Sequence, residues 1–195
     1  MPPTAEREGP REPRGPADAA VRSGAASSDS APPPGSPPRP TDLPLGPRLL
    51  ATFFGTGLLR PGPGTWTSAA AALPLLYVPS TAYPYAVGVA AVLAYALCVV
   101  LATRPGLRPV IDRDPGWFTL DEACGVWIAA WRPAGPSPLS VLLAFALFRV
   151  FDIAKPPPIG RSQNVGGGHG IVLDDALAGL FALAIGLAVE AFARG

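Results

Sequence analysis

Apolar residues dominate the chain from residue 48 onward, in runs separated by short turns that are rich in glycine and proline. The longest run, Tyr83–Thr103, extends over 21 residues without a charge. A helix needs about 20 such residues to cross a bilayer, and a buried core helix is usually shorter, so this run predicts a transmembrane helix. Shorter apolar runs cover residues 48–59, 65–78, 119–131, 139–151 and 174–192. The pattern predicts an all-α protein: a bundle of about five to six apolar helices, embedded in or associated with a membrane.

The first 47 residues have a different composition. They contain thirteen of the 27 prolines, together with alanine, serine, glycine and balanced charges. Such a segment cannot bury enough apolar surface to offset the entropy lost on ordering. We therefore predict two regions: a disordered tail over residues 1–47 and a helical domain over residues 48–195.

Composition narrows the class of protein. Apolar residues make up 49% of the chain and charged residues 15%, and the mean hydropathy is +0.31 despite the polar tail. The net charge of +1 gives no basic surface suited to nucleic acid. Cys98 and Cys124 both lie in apolar surroundings without metal-ligand spacing, which favours two buried thiols over a disulfide or a nucleophile.

Charged residues are concentrated at the ends of the apolar runs. Asp121 and Glu122 begin one predicted helix, and the pair Asp174 and Asp175 begins the last one. A glycine follows each acid pair four or five positions on, which leaves that helix face open to a close neighbour. Between the two pairs, one apolar run ends with three charges at spacings of three: Arg149, Asp152 and Lys155. A simple ion pair between Arg149 and Asp152 is the structural alternative.

A turn of glycine and proline precedes the alanine-rich run. We predict that Thr65 or Ser68 caps the helix that follows Gly64. The N-terminus of a helix offers backbone N–H groups and a positive dipole end to an anion, although an ordinary capped helix start fits the same pattern.

Three arginines that follow the 21-residue run orient the bundle. Arg104, Arg108 and Arg113 predict that this end faces the cytoplasm, by the positive-inside rule. If the helices then alternate in direction, the glycine turn, both acid pairs and the Arg149–Lys155 segment gather on one cytoplasmic face.

Several carboxylates together repel unless a cation lies among them. Oxygen ligands suit Mg²⁺ or Mn²⁺, and adjacent basic residues suit a phosphate. An ion or proton relay in a small transporter or channel subunit is the competing use of such acids.

Four segments resemble, in order, the motifs of the phosphatidylglycerophosphatase A family. They are GTGLLRPGPGT, LDEACG, FRVFDIAKPPP and GGGHGIVLDDALAG. The resemblance covers roughly residues 49–187. It differs from the family pattern at Thr67, where a glycine is frequent, at Gln163 in the loop, and at His169, where an apolar residue is more usual.

The resemblance implies an all-α, Mg²⁺-dependent enzyme of the bacterial cytoplasmic (inner) membrane, active on the cytoplasmic face. It would remove the terminal phosphate of phosphatidylglycerophosphate to give phosphatidylglycerol, so its expected partners are that lipid and the bilayer, with no nucleic acid. We predict Asp121, Glu122, Asp174 and Asp175 as ligands of one or two Mg²⁺, and Asp152 as a further ligand or general base, so that Asp121, Asp152 and Asp175 form the catalytic group. Arg149 and Lys155, assisted by Gly64 and Thr65, are predicted to hold the phosphate.

Overall fold

The computed structural model describes residues 39–111, 115–162 and 168–194. Residues 1–38 of the predicted tail, Arg113 and Gln163 lie outside these ranges. Residues 39–47 of that tail lie within them and include a 3-10 turn and the start of the first helix at Leu45. The helices are α1 (Leu45–Ala51), α2 (Pro63–Ala72), α3 (Tyr83–Thr103), α4 (Arg108–Ile111), α5 (Leu120–Ala130), α6 (Pro138–Ala154), α7 (Ile159–Ser162) and α8 (Gly168–Arg194), with short 3-10 turns at Pro40–Asp42, Thr56–Leu58 and Leu73–Tyr77. Within the described ranges there is no strand, so the all-α prediction is confirmed.

Helix α5 lies at the centre of the bundle and contacts α2, α3, α6 and α8. It can be central because its side chains are small: Ala123, Cys124, Val126 and Ala129 are fully buried. Two indole groups form hydrogen bonds to the neighbouring helices. Trp127 donates from Nε1 to the carbonyl of Ala71 at the end of α2, and Trp131 donates in the same way to Pro84 at the start of α3. Cys124 and Cys98 are buried free thiols, as predicted.

Helices α5 and α8 approach each other closely at two glycines. A Cβ added to Gly179 would overlap the backbone carbonyl of Gly125, and a Cβ added to Gly125 would lie 2.7 Å from the carbonyl oxygen of Asp175. The backbones therefore touch where any side chain would separate them. This confirms the prediction that the glycines after the acid pairs allow close packing, and it brings the two acid pairs together.

Two predicted helix starts are wrong. Helix α2 begins at Pro63 rather than after a Thr65 or Ser68 cap, and Gly62 is its N-cap with a left-handed φ of 68°. Proline fits the first helical position because the N–H it lacks has no helical partner there. Helix α8 begins at Gly168 rather than at Asp174. Its acid pair therefore lies in the second turn, where the helix already packs on α5.

Apolar side chains cover much of the outer surface. Two helices, Tyr83–Thr103 and His169–Ala193, are long and apolar enough to cross a membrane, and only 33% and 28% of their apolar windows are buried. Large side chains such as Leu93, Leu142 and Phe192 are 62–91% exposed. A monomer in water rarely exposes so large an apolar surface, so these faces suit contact with lipid or with another protein.

Candidate active site

A polar cavity of about 140 Å³ opens where the N-terminal part of α5, the C-terminal end of α6 and the second turn of α8 meet. Six charged side chains line it: Asp121, Glu122, Asp152, Lys155, Asp174 and Asp175. They come from three segments that are far apart in the chain. The structure thus brings together both acid pairs and two of the three charged residues in the Arg149–Lys155 segment.

Three carboxylates come closest to one another. Asp121, Glu122 and Asp175 each offer an oxygen, and these oxygens all lie within 4.8 Å of one another. Asp121 and Asp175 are each only 5% exposed. A set of buried, oxygen-only donors at this separation fits a hard divalent cation such as Mg²⁺ and offers none of the nitrogen or sulfur ligands that zinc favours.

Glu122, on α5, has a raised pKa. Burial raises its pKa, the hydrogen bond with Asp121 opposes this, and the charges of Asp175 and Asp152 raise it again, to about 8. Its Oε2 atom is buried and accepts no hydrogen bond from the described residues. Burial and repulsion therefore act against the charged form of this carboxylate, and a cation would relieve both.

Arg149 lies between α2 and the acids. Its Nη1 donates to Asp152 Oδ2 over 2.6 Å, which is the i,i+3 pair expected from the sequence. Its Nε is buried and makes no hydrogen bond among the described residues, so the guanidinium keeps a spare donor. Gly64 makes this arrangement possible, because an added Cβ there would overlap Glu122 Oε1 and lie 3.2 Å from Arg149 Nη1.

Lys155 points back into the cavity from just beyond α6. It is the C-cap of that helix and has a left-handed backbone, with φ 41° and ψ 53°. Its Nζ donates to Asp174 Oδ2 over 2.6 Å. Burial lowers the pKa of Lys155, but the hydrogen bond and the charges of Asp174, Asp175 and Asp152 outweigh it, so the pKa is raised and the group stays a cation. Asp174 is thus engaged by Lys155, whereas its neighbour Asp175 faces the other two carboxylates.

Thr65 is the predicted site residue that the structure leaves outside the cluster. Its side chain is exposed, and its backbone N–H donates to the carbonyl of Gly62. Across the described ranges, no hydrogen bond or ion pair connects Thr65 to the acids or the cations. Gly64 provides a close contact between the start of α2 and the site.

Sequence reasoning missed the supporting residues. Gly116, Phe118 and Ile171 complete the cavity wall, and only their proximity to the acid motifs could have indicated them. A chain of hydroxyl groups also holds the start of α5 against α2. Thr67 Oγ1 is 2.7 Å from Thr56 Oγ1 and donates to Thr119 Oγ1 over 2.9 Å. The threonine that departs from the family pattern therefore has a structural partner on each side.

His169, the other departure, lies at the start of α8. Its Nδ1 is 2.9 Å from the hydroxyl group of Tyr95 on α3. This contact joins the two long apolar helices near the first turn of α8. It lies outside the set of side chains that line the cavity.

The fold and the cavity together define an all-helical protein with a buried carboxylate site suited to a divalent cation, beside two cations suited to an anion. Comparison with known proteins is consistent with this class. The family model of phosphatidylglycerophosphatase A matches residues 49–190. The chain therefore belongs to the phosphatidylglycerophosphatase A family, which is a family of phosphatases.

Curated relatives point the same way. The chain is 37% identical over 147 residues to a phosphatidylglycerophosphatase A of Haemophilus influenzae, covering 73% of this chain and 87% of the relative. It is 34% identical over 142 residues to the Escherichia coli protein of that name, covering 70% and 79%. A putative phosphatidylinositol-3-phosphatase of Bacteroides thetaiotaomicron is 35% identical over 151 residues, covering 73% and 91%. No solved structure matches the chain.

Proposed function

We propose that this chain hydrolyses the terminal phosphate of phosphatidylglycerophosphate to give phosphatidylglycerol, in a Mg²⁺-dependent reaction at the cytoplasmic face of the bacterial inner membrane. One observation carries the proposal: two buried carboxylates and one partly buried carboxylate converge beside two cations that each keep spare hydrogen-bond donors. Two relatives that carry the name of this activity support it. A transporter that uses the same acids has no comparable support.

Asp121, Glu122 and Asp175 would hold the ion. Their oxygens converge within 4.8 Å, and the buried Glu122 Oε2 needs a positive partner. Bound Mg²⁺ would polarise a phosphoryl oxygen and neutralise developing negative charge. Asp174, the fourth ligand predicted from the sequence, would act in part through Lys155, since its Oδ2 already accepts a hydrogen bond from that residue.

Arg149 and Lys155 would hold the phosphate. Arg149 uses Nη1 for Asp152, which leaves Nε and Nη2 for phosphate oxygens. Lys155 has three ammonium donors, of which one binds Asp174. Charge-assisted bonds of this kind are strong and would position the ester next to the carboxylates. Asp152 pairs with Arg149 and lines the cavity together with Lys155 and the other acids, and it is our candidate to accept the proton of the attacking water.

Membrane embedding is supported by the exposed apolar faces of α3 and α8 and by their lengths. The orientation rests on Arg104 and Arg108, two exposed arginines directly after α3. The end of α3 packs in one apolar cluster with Phe118 and Leu120, which lead into the acid motif of α5. The site therefore lies at the arginine-rich end, which the positive-inside rule assigns to the cytoplasm.

The decisive experiment measures phosphate release by the purified protein in detergent micelles, with Mg²⁺ and with EDTA. We expect release from phosphatidylglycerophosphate in Mg²⁺, loss of release in EDTA, and recovery when Mg²⁺ is returned. Absence of metal-dependent release from any lipid phosphate would reject a phosphatase function and favour an ion-transport role.

Phosphatidylinositol 3-phosphate is the second candidate substrate, because the Bacteroides relative bears that name. It should be assayed in parallel at the same surface concentration. We expect a higher kcat/KM for phosphatidylglycerophosphate. The reverse order would keep the reaction type and change the substrate.

A further inference from the structure

An apolar groove of about 330 Å³ lies between α6 on one side and α2 with the 3-10 turn that follows it on the other. We call it the α2–α6 groove. Ala69, Leu73 and Leu76 form one wall, and Val141, Leu142 and Phe145 form the other. Leu73 is 61% exposed and Leu142 is 62% exposed, so the groove is open along its side. If this surface faces the membrane, a lipid chain can enter the open groove from the bilayer.

Both walls of the groove continue into the candidate active site. Phe145 in the groove precedes Arg149 by four residues on α6, which is about 6 Å along the helix axis. Ala69 follows Gly64 by five residues on α2, or about 7.5 Å. Gly64 and Arg149 are adjacent, since a Cβ added to Gly64 would lie 3.2 Å from Arg149 Nη1. The groove therefore begins roughly one helical turn from the cation that we assign to the phosphate.

The distance from Arg149 to the far end of the groove matches one leaflet. The groove ends at Pro138, eleven residues before Arg149, so its axis extends about 17 Å from the level of the cation. One leaflet of the hydrocarbon core is about 15 Å thick, half of the whole core. An amphiphile with its anionic head at Arg149 would place one chain along this groove and reach the middle of the bilayer.

A second apolar groove lies on the other side of α2, lined by residues that include Phe53, Val87 and Trp127. Its remaining walls come from α3 and from the middle of α5, which carry neither Arg149 nor Lys155. The shared walls thus favour the α2–α6 groove as the continuation of the site.

We propose that the α2–α6 groove binds one acyl chain of the lipid substrate while Arg149 and Lys155 hold its phosphate. The inference rests on the proposed function, because it assumes a lipid with its phosphate at this site. The groove would then select a membrane lipid over a soluble phosphate ester that carries the same headgroup.

Photo-crosslinking tests the position of the chain directly. The full-length protein in nanodiscs is loaded with phosphatidylglycerol that carries a diazirine in the middle of one acyl chain, and the labelled residues are mapped by mass spectrometry. We expect labels to concentrate on Leu73, Leu142 and Phe145, and unlabelled phosphatidylglycerophosphate to displace them. Labels spread evenly over the exposed residues of α3 and α8, such as Val92, would overturn the proposal.

Substitutions that fill the groove test its role in catalysis. Ala69→Phe places a ring in the groove, and Ala96→Phe makes the same change on an exposed position of α3 outside both grooves. For long-chain phosphatidylglycerophosphate we expect Ala69→Phe to raise KM at least about tenfold, the effect of losing two buried methylene contacts, with kcat retained. Ala96→Phe should match the wild type.

The outcomes separate the two proposals. If the wild type releases no phosphate from either lipid, the proposed function fails. If the wild type is active and Ala69→Phe keeps its KM, the groove assignment fails alone. Should Ala69→Phe not fold, Leu142→Trp fills the same groove from an exposed position and must raise KM in the same way.

Discussion

The two ends of helix α5 both carry buried charge, but they balance it differently. At the C-terminal end, Arg132 is 2% exposed and pairs with Glu190 of α8 over 2.7 Å. Its Nη1 also donates to the carbonyls of Ala129 and Trp131, and Nη2 packs against Gly186. One cation meets one carboxylate, and the pair joins the end of α5 to the end of α8.

The N-terminal end has an excess of negative charge. Five carboxylates and two cations line or adjoin the cavity there, and they leave a formal excess of three negative charges. Buried like charges are unfavourable unless a proton or a metal ion compensates them. Arg132 Nη2 is also buried and makes no hydrogen bond among the described residues, but the charges at that end cancel within the protein. The charges at the N-terminal end do not cancel, and a bound cation would compensate them. This difference distinguishes a structural ion pair just beyond the C-terminus of α5 from the candidate site at its N-terminus.

Removing one of the converging carboxylates should have the largest effect on activity. Asp175→Asn keeps the shape of the side chain and removes the charge that a divalent cation needs. We expect kcat/KM to fall by about 100-fold or more, since loss of a group that only supports a metal ligand already costs about 10–100-fold. Asp121→Asn should behave alike. Helix content by circular dichroism should stay unchanged, and near-normal turnover of both variants at limiting Mg²⁺ would refute the metal assignment.

Removing a cation from the same end should have a smaller effect. Lys155→Met deletes a charge-assisted contact to phosphate and also leaves Asp174 without its ammonium partner. We expect kcat/KM to fall on the order of ten- to a hundred-fold. The exposed Arg161 offers a matched control, and Arg161→Met should keep wild-type kinetics. A Mg²⁺ titration measures the outcome: full rescue by excess Mg²⁺ would mean that Lys155 does not hold the phosphate.

Crowding the contact between α2 and the site should lower activity by a smaller factor than either substitution above. The Cβ of Gly64→Ala would overlap Glu122 Oε1, so Glu122 must move. Overpacking of this kind costs about 1–3 kcal/mol in stability. About 1.4 kcal/mol of this cost acting on the transition state gives the roughly tenfold loss of kcat/KM that we expect, together with a higher Mg²⁺ requirement. Gly46→Ala is the control, because a Cβ there meets no atom within 4 Å. Equal kinetics for the two variants would show that Gly64 has no role in positioning Glu122.

A substitution at the balanced end should lower the stability of the protein and leave its activity unchanged. Glu190→Gln leaves the buried guanidinium of Arg132 without a counter-charge, and a broken buried pair costs on the order of 3 kcal/mol. We expect a lower Tm, by about 6–12 °C for a domain of this size, with unchanged kcat/KM at temperatures where the protein is folded. Thermal unfolding and the phosphate assay measure the two effects. A large loss of activity without loss of stability would erase the distinction between the ends.

The sequence by itself determined the class of fold and the chemical types at the site. The length of Tyr83–Thr103 predicts its helix with the bounds that the structure has. The acid pairs, the Arg149–Lys155 segment and the glycines after the acids predict which segments meet. These features follow from local rules: helical spacing, length, and the cost of burying charge without a partner.

Only the tertiary structure decided which carboxylates face one another. Asp174 and Asp175 are neighbours in the chain, but successive residues on a helix are rotated by about 100°, so one meets Lys155 and the other meets Asp121 and Glu122. The start of α8 at Gly168 was equally hidden, because glycine is a poor helix former and the sequence predicts a loop there. The direction of Lys155 depends on its left-handed backbone, which the following prolines do not specify. Packing between distant segments sets these three features, and no local pattern along the chain contains that information.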